Sequence, residues 1–394
     1  MISLQQAQQL VKQQARSFGK EIVLLEEATG RVLNEPVAAD RDYPPFNRAT
    51  MDGMAINMAD WNDGIRTFTW IETVFAGKAA IKSIGKGECY KIMTGSAVPE
   101  CANTIIRKED IDEIENRLSI TVSSITPGQN IAPKGTDIKK EITVIAPPFY
   151  IKPGTITTLA SLGYDEVKVA SLPSVAIITT GDEVQPVEAA VNDVQIRNSN
   201  QHLLKALLQH WKIKPAAETH VKDDADALLK TINSYKRTDI IILSGAVSAG
   251  DADFVPEVLV KAGAEKIFHK VAIRPGKPAW FGKFANGPVV FALPGNPFST
   301  FVTFKLFIEE FLVACFGLPE RQLLRLPFNG SRIKKTDLDE FFPVMIGGDP
   351  AVVTPVAFNT SGDITAMMEA DGLGWQPADK MELAANEMLS CMFA

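Results

Sequence analysis

The chain has 394 residues, of which 46% are hydrophobic and 22% are charged, so disorder is excluded as its main state and several domains are expected. Its 40 basic and 47 acidic residues give a net charge of −7, which indicates no nucleic-acid-binding surface and requires a local basic pocket for any anionic ligand. Its four cysteines form no CxxC pair, and no apolar stretch reaches the ~20 residues that span a bilayer. The sequence therefore predicts a cytoplasmic protein without a zinc site, a disulfide framework or a membrane span.

The N-terminal third predicts a helix, a loop and a small β domain, in that order. Ser3 suits the N-cap of the helix. The apolar face of this helix consists of Leu4, Ala7, Leu10 and Val11. Residues 36–54 are rich in proline and aspartate, which predicts a loop and a candidate site. Short β-like runs such as 67–74 and 118–123, separated by glycine turns, predict the β domain.

From Pro173 the pattern changes to alternating buried strands and helices. Residues 174–179 and 240–243 are apolar runs without alternation, which is typical of parallel strands covered on both faces. The spacing of apolar residues also predicts a helix capped by Asn198 or Ser199, a strand at 215–221, helices at 225–235 and 254–262, and a strand at 267–273. Repeated units of this kind predict a doubly wound α/β sheet with right-handed crossovers.

The remaining chain predicts a long helix and a last β module. The helix begins at Asn296-Pro297 and ends near Gly317, because Asn suits an N-cap, Pro the first turn and Gly the stop. From residue 319 onward, β-like runs alternate with turns at Gly330 and at 347–348 and 359–362. The predicted fold class is therefore α/β plus β modules.

Three unusual loops follow predicted strands, at residues 180–183, 244–253 and 293–297. Ligands of open parallel sheets bind at the carboxyl ends of the strands, and small residues there let the backbone approach a ligand. One such loop alone is equally well a tight turn with an Asp helix cap, but three at one edge predict a binding site. The candidate ligand-binding residues of these loops are Gly181, Ser244, Gly245, Ser248, Gly250, Pro294, Gly295, Asn296 and Pro297.

Basic residues lie in the segment 270–278, which two prolines and a glycine stiffen. Lys270, Arg274 and Lys277 suit a phosphate or another oxyanion, and the alternative is ordinary solvated surface charge. Carboxylates lie close to the same strand ends. Glu183, Asp223 and Asp253 could hold Mg²⁺ or could position an oxyanion substrate. For Asp223 a plain helix N-cap is a further alternative.

Other catalytic signatures are missing from the sequence. The histidines His202, His210, His220 and His269 have no ligand spacing that pairs with cysteine, which favours structural or exposed roles. There is no Gly-x-Ser-x-Gly elbow, Walker loop or GxGxxG motif, so a serine hydrolase or an ordinary P-loop NTPase is not supported.

Six motifs, taken together and in this order, resemble the MoeA-type molybdopterin molybdenumtransferases, the family to which the gephyrin E domain also belongs. The first two are Pro-Phe-Asn-Arg-Ala-Thr-Met-Asp-Gly at 45–53 and Ile-Met-Thr-Gly-Ser-Ala-Val-Pro at 92–99. The others lie at 180–183, 244–253, 274–278 and 293–297. Six motifs in sequence order over nearly the whole chain are far more specific than any one of them.

The resemblance implies an elongated homodimer with four domains per subunit. They are an N-terminal domain from residues 1–40 and 140–172, an inserted β domain at 41–139, a doubly wound α/β molybdopterin-binding domain at 173–318 and a C-terminal β domain at 319–394. In the family the active site lies between the α/β domain of one subunit and the β-domain loop of the other. The implied catalytic residues are Asp52, Thr94, Glu183, Asp223 and Asp253.

The family reaction inserts molybdate into adenylylated molybdopterin, with Mg²⁺ assistance, and yields molybdenum cofactor and AMP. The resemblance implies this reaction here, with adenylyl-molybdopterin and molybdate as substrates and with Lys270, Arg274 and Lys277 on the anions. It also implies a molybdopterin adenylyltransferase and acceptor molybdoenzymes as partners. Molybdate and tungstate are both tetrahedral dianions of similar size, and the sequence does not distinguish them.

Two other functions compete with this one. Molybdopterin adenylylation uses a related α/β domain, but the long N-terminal modules argue against it. A non-catalytic dimeric scaffold needs no acidic site residues, so the carboxylates present in the motifs argue against it.

The chain also departs from the family at several positions. Ala246 stands where the family usually has a second glycine, which tests whether that position needs a positive φ. Met54 stands where an aromatic residue is common, and the segment 128–135 lacks the arginines often seen there.

Overall fold

A computed structural model of the chain describes residues 1–246 and 254–393, which fall into two compact units. The larger unit comprises residues 1–34, 148–156 and 166 onward, and the smaller unit comprises residues 35–147 and 157–165. No helix in the described part of the chain is long and apolar enough to cross a membrane.

The helices largely agree with the sequence pattern. Their bounds are Leu4–Lys12, Met58–Asn62, Pro153–Ser161, Ser199–His210, Ala225–Ser234, Val255–Lys261, Pro297–Thr303 and Glu309–Cys315. Ser3 caps the first helix through a capping box with Gln6, and Asn198 caps the helix that follows it through the amide of Gln201. The predicted long helix after Asn296 differs from expectation, because a π-helical turn at Phe304–Ile308 interrupts it.

The smaller unit is built on an antiparallel-rich sheet. In spatial order its strands are Thr104–Arg107, Gly53–Ile56, Glu88–Ile92, Thr67–Val74, Arg117–Ile120 and Ile111–Ile114. Met54 and Ile56 pack into one apolar cluster and Ala55 packs into another, so alternate residues of a strand serve the two faces. Two short pairs complete the unit: Arg48–Ala49 with Ile131–Ala132, and Val37–Ala38 with Thr143–Ile145.

Gly53 lies at a point of close contact between two strands of this sheet. A Cβ atom built there would lie 1.8 Å from the carbonyl oxygen of Ile106, so only glycine allows the two strands to pair. The preceding residue, Asp52, thereby emerges at a fixed place at the start of its strand.

The larger unit contains the N-terminal sheet and the α/β sheet. The N-terminal sheet has the order Lys20–Leu24, Glu166–Ala170, Val32–Leu33 and Phe149–Tyr150. The α/β sheet has the order Ala217–Val221, Val175–Thr180, Ile240–Ser244, Val289–Leu293, Trp280–Lys283 and Glu265–His269. Neighbours among the first four strands are parallel, which confirms the α/β fold class expected from the sequence.

The far edge of the α/β sheet differs from a simple alternation of strands and helices. Trp280–Lys283 and Glu265–His269 run antiparallel, and the sequence pattern did not predict the first of them. Only ten residues, 270–279, join the two strands, which is too short for a helical crossover and fixes the antiparallel direction.

The C-terminal module is an antiparallel sheet, and one short strand of the α/β module pairs with its edge in parallel. Its order is Ile273–Arg274, Asp339–Gly347, Gly372–Gln376, Met388–Phe393 and Leu324–Pro327, with Val352–Pro355 against Asp339–Gly347. Arg332–Ile333 and Glu382–Leu383 form a separate pair, and Val184–Gln185 pairs with Ile196–Arg197. The pairing of Ile273–Arg274 with Asp339–Gly347 places Arg274 directly opposite Glu340.

Gly53→Ala tests the close strand contact in the smaller unit. The added methyl group would collide with backbone and not with a flexible side chain, so we expect a loss of about 2 kcal/mol or more in the free energy of unfolding of that unit. Gly347→Ala is the matched control, because a Cβ at this strand-end glycine meets nothing within 4 Å. Chemical denaturation followed by circular dichroism measures both, and equal stability of the two variants would contradict the packing described.

Candidate active site

A cavity of about 1470 Å³ lies in the larger unit at the carboxyl ends of the parallel strands. The three strand-end loops that stand out in the sequence meet there. Residues of these loops on its wall are Thr180, Gly181, Glu183, Ser244, Gly245, Ala246, Pro294, Gly295, Asn296 and Pro297. The C-terminal module supplies further wall residues between 332 and 341 and between 358 and 364.

The loops pack backbone against backbone. Gly245 has φ +112°, and a Cβ there would lie 2.6 Å from Thr180 Oγ1 and 2.8 Å from the Thr180 carbonyl oxygen. A Cβ on Gly295 would lie 3.5 Å from the Cα of Gly245, so the second and third loops also touch directly. Glycine at 245 therefore permits the close approach of the first two loops.

Ser244 and Asn200 lock this arrangement with hydrogen bonds. Asn200 Nδ2 donates to Ser244 Oγ at 3.0 Å and to the carbonyl oxygen of Gly295 at 2.6 Å. The Ser244 hydroxyl also donates to the carbonyl oxygen of Pro294 at 3.3 Å. The sequence pattern missed Asn200, which lies in the first turn of the helix Ser199–His210.

Glu183 and Asp223 supply negative charge to the cavity wall. The backbone N–H of Asp223 donates to Asp182 Oδ1 at 3.2 Å. Partial burial, together with the charges of Asp182 and Glu183, raises the pKa of Asp223 above its ordinary value. Asp224, not Asp223, caps the following helix, so the N-cap alternative for Asp223 is wrong.

No group of three or more His, Cys, Asp or Glu side chains with metal-holding geometry occurs within residues 1–246 and 254–393. The third expected acid, Asp253, lies outside the described residues, as do Ser248 and Gly250.

Positive charge comes from two modules. Arg274 and Lys277 line the cavity as expected, whereas Lys270 is not among its lining residues and its backbone N–H donates to the carbonyl oxygen of Ala279. The sequence pattern missed several further basic side chains on the wall, namely Arg197, Arg332, Lys334 and Lys335. Lys334 has a structural role, because its buried ammonium group donates hydrogen bonds to the carbonyl oxygens of Leu338, Pro377 and Ala378.

Asp52 and Thr94 belong to the smaller unit and bond to each other. The Asp52 carboxylate accepts from the backbone N–H of Thr94 at 2.7 Å and from its hydroxyl at 2.8 Å. These two bonds lower the pKa of Asp52, so the residue is held as an oriented carboxylate.

Known proteins match the chain along nearly its whole length. Residues 2–163 match the model described as the MoeA N-terminal region (domain I and II), and residues 176–314 match a "probable molybdopterin binding domain". A molybdopterin molybdenumtransferase of Staphylococcus aureus is 32% identical over 379 residues, which cover 94% of this chain and 90% of that protein. The chain belongs to the MoeA family of molybdopterin molybdenumtransferases.

Two further relatives extend the match. A molybdopterin molybdenumtransferase of Synechocystis is 29% identical over 393 residues, which cover 98% of both proteins. The crystal structure of a molybdopterin biosynthesis MoeA protein from Pyrococcus horikoshii superposes with a TM-score of 0.83 at 26% identity and covers 100% of both chains. The family and the multidomain fold class expected from the six motifs are thereby confirmed.

Ala246, which replaces the family's usual second glycine, adopts φ +48°. Alanine in this left-handed region costs about 1 kcal/mol or more, so the turn after Gly245 holds this residue in a conformation that favours glycine. Met54 is fully buried in the smaller unit, where it fills core volume.

Proposed function

We propose that this MoeA-family protein inserts molybdate into adenylylated molybdopterin and releases molybdenum cofactor and AMP. The observation that carries the proposal is the match to named molybdopterin molybdenumtransferases over more than nine-tenths of the chain. The cavity supports it, because the reaction needs one site that accepts a large nucleotide-tagged anion together with a small dianion. We place the reaction in the cytoplasm.

The phosphate groups and molybdate are bound by the basic wall and by backbone N–H groups. The side chains of Arg274 and Lys277 are exposed on the cavity wall, and Arg274 Nη1 lies 3.7 Å from Glu340 Oε1. Lys335 of the C-terminal module lines the same cavity. Gly181 and Gly245 line the cavity without a side chain, so a phosphate could approach the backbone of these turns from the cavity side. The dithiolene sulfurs of the pterin bind the molybdenum, so the protein's task is to position and neutralise the reactants.

Mg²⁺ would be held by Glu183 and Asp223, with Asp253 as the expected third ligand. The donor set fits, because Glu183 and Asp223 both lie on the cavity wall and carboxylate oxygens are the ligands that Mg²⁺ prefers. Partial burial, together with the charges of Asp182 and Glu183, raises the pKa of Asp223, and a divalent cation would offset the cost of its ionisation. When bound, Mg²⁺ supplies Lewis-acid assistance to cleavage of the adenylate.

The oriented Asp52 carboxylate acts in the site of a second copy of the chain. We propose a homodimer in which each active site combines Glu183, Asp223 and Asp253 of one subunit with Asp52 and Thr94 of the other. Two hydrogen bonds from Thr94 keep Asp52 ionised and pointing in one direction, which suits a group that must meet a ligand across an interface.

Replacement of Glu183 tests the function. We expect Glu183→Ala to lower the rate of cofactor formation from adenylylated molybdopterin and molybdate by about 100-fold or more, because it removes a metal and substrate contact. Glu257→Ala, on the exposed side of a helix that does not line the cavity, is the control. Unchanged turnover in the Glu183 variant would count against the site. Formation of adenylyl-molybdopterin from ATP by the wild type would favour the adenylyltransferase reaction instead.

Asp223→Asn tests the metal site. Folding raises the pKa of Asp223, so the ionised carboxylate lowers the free energy of unfolding. This loss of stability is present at pH values above the folded pKa, and it disappears once the pH falls well below the unfolded pKa, where Asp223 is protonated in both states. At pH 8 we therefore expect Asp223→Asn to melt at the same or a higher Tm than wild type without Mg²⁺. We also expect the rise in wild-type Tm on addition of Mg²⁺ to shrink in the variant. The control is Asp226→Asn, in the first turn of the helix that follows Asp223. An equal rise in Tm on addition of Mg²⁺ in all three proteins would rule out Asp223 as a ligand.

Mixed dimers test the shared site. Asp52→Ala and Asp223→Ala should each be inactive alone. After the two variants are unfolded and refolded together in equal amounts, a shared site predicts about a quarter of wild-type activity, because half of the dimers are mixed and each holds one intact site. A site made within one chain predicts no recovery at all.

A further inference from the structure

Glu340 is a buried carboxylate on the cavity wall to which neither the motifs nor the reaction assigns a role. Its side chain is 4% exposed, and it lies in the C-terminal module beside Arg274 in the parallel strand register. Glu340 Oε1 accepts the Thr336 hydroxyl at 2.7 Å and lies 3.7 Å from Arg274 Nη1. Glu340 Oε2 accepts Arg332 Nη2 at 2.6 Å.

The two arginines around Glu340 are held very differently. Arg332 Nη1 donates to Gln376, its Nη2 donates to Glu340, and the guanidinium lies 4.4 Å from the ring centre of Phe342. Arg274 is 60% exposed, and Glu340 is its only salt-bridge partner among the described residues. Arg332 is therefore a fixed structural group, whereas Arg274 is an exposed side chain on the cavity wall that Glu340 alone pairs among the described residues.

The cluster of Glu340, Arg274 and Arg332 has an excess of positive charge that an anionic ligand can use. One carboxylate lies between two guanidinium groups, so the net charge of the cluster is +1. Burial tends to raise the pKa of Glu340, but hydrogen bonds from Thr336 and Arg332 outweigh it and lower the pKa overall. Glu340 thus stays ionised and is already largely neutralised by Arg332, which leaves the charge of Arg274 available to an external anion.

We propose that Glu340 is a positioning residue that holds the guanidinium of Arg274 at the cavity wall, so that the C-terminal module sets the affinity for a tetrahedral oxyanion bound by the α/β module. The inference rests on the proposed function, which supplies two such anions, the phosphate of the nucleotide and molybdate. Glu340 itself, a carboxylate, does not contact the anion.

Charge alone and positioning predict opposite results for Glu340→Gln. Removal of the negative charge of Glu340 from an anion site should strengthen anion binding if Glu340 acts only through its charge. Loss of the fixed Arg274 should instead weaken it, and we expect the Kd for AMP or for molybdate to rise about tenfold in calorimetric titration. The KM for adenylylated molybdopterin should rise to a similar extent while kcat changes little.

Three further variants separate positioning from general damage. Asp337→Asn removes the same charge from an exposed neighbour that does not line the cavity and should leave both Kd values unchanged. Arg274→Ala should weaken binding at least as much as Glu340→Gln, and the double variant should be no weaker than Arg274→Ala, because the two residues act through one contact. If Glu340→Gln does not fold, Glu340→Asp keeps the charge, draws it back from Arg274 and should still weaken binding.

The outcomes are distinct. A loss confined to AMP assigns Arg274 to the nucleotide phosphate, and a loss confined to molybdate assigns it to the metal oxyanion. Equal or tighter binding of both anions by the folded Glu340 variants overturns the positioning role and leaves the proposed function intact. Wild-type protein that binds neither AMP nor molybdate contradicts the proposed function, and the role of Glu340 falls with it.

Discussion

The candidate site depends on one packing constraint, the contact of two strand-end turns at Gly245 and Thr180. A single methyl group at Gly245 would overlap the Thr180 carbonyl, so the first two loops can meet only if this residue has no side chain. Asn200 then joins the second loop to the third with one amide group. The result is a close-packed layer of loop backbone at the edge of the sheet, and it lines the cavity at the strand ends.

Charge is distributed unevenly along the wall of this cavity. Glu183 and Asp223 lie near the ends of neighbouring parallel strands, and partial burial together with the charges of Asp182 and Glu183 raises the pKa of Asp223. The basic residues are Arg197, those of the turn at 274–277 and those of the C-terminal module, and a pair of strands joins the last two parts. Acidic and basic side chains on one cavity wall suit a reaction in which a divalent cation and several anions bind side by side, and the local basic residues favour an anionic substrate despite the net charge of −7.

Local sequence signals predicted the strand-end loops well, because a buried apolar strand followed by glycine and a cap residue is a short-range pattern. The caps at Ser3 and Asn198 and the parallel strand at 175–180 follow from such patterns. Glu340 was not predicted, since its strand pairs with Arg274, which lies more than sixty positions earlier in the chain. Arg332 and Lys335 were also missed, and they reach the cavity wall from the same C-terminal module. The antiparallel edge at Trp280–Lys283 was missed because its direction follows from loop length and not from residue type. The family resemblance supplied Asp52 and Thr94, whose mutual bonds no spacing rule reveals.

The most direct measurement is a crystal structure of the protein with adenylylated molybdopterin and Mg²⁺. The account predicts phosphate oxygens within hydrogen-bonding distance of Arg274 and of the loops at Gly181 and Gly245, with the metal on Glu183 and Asp223. A pterin nucleotide bound elsewhere on the chain, with these loops and carboxylates left in solvent, would contradict it.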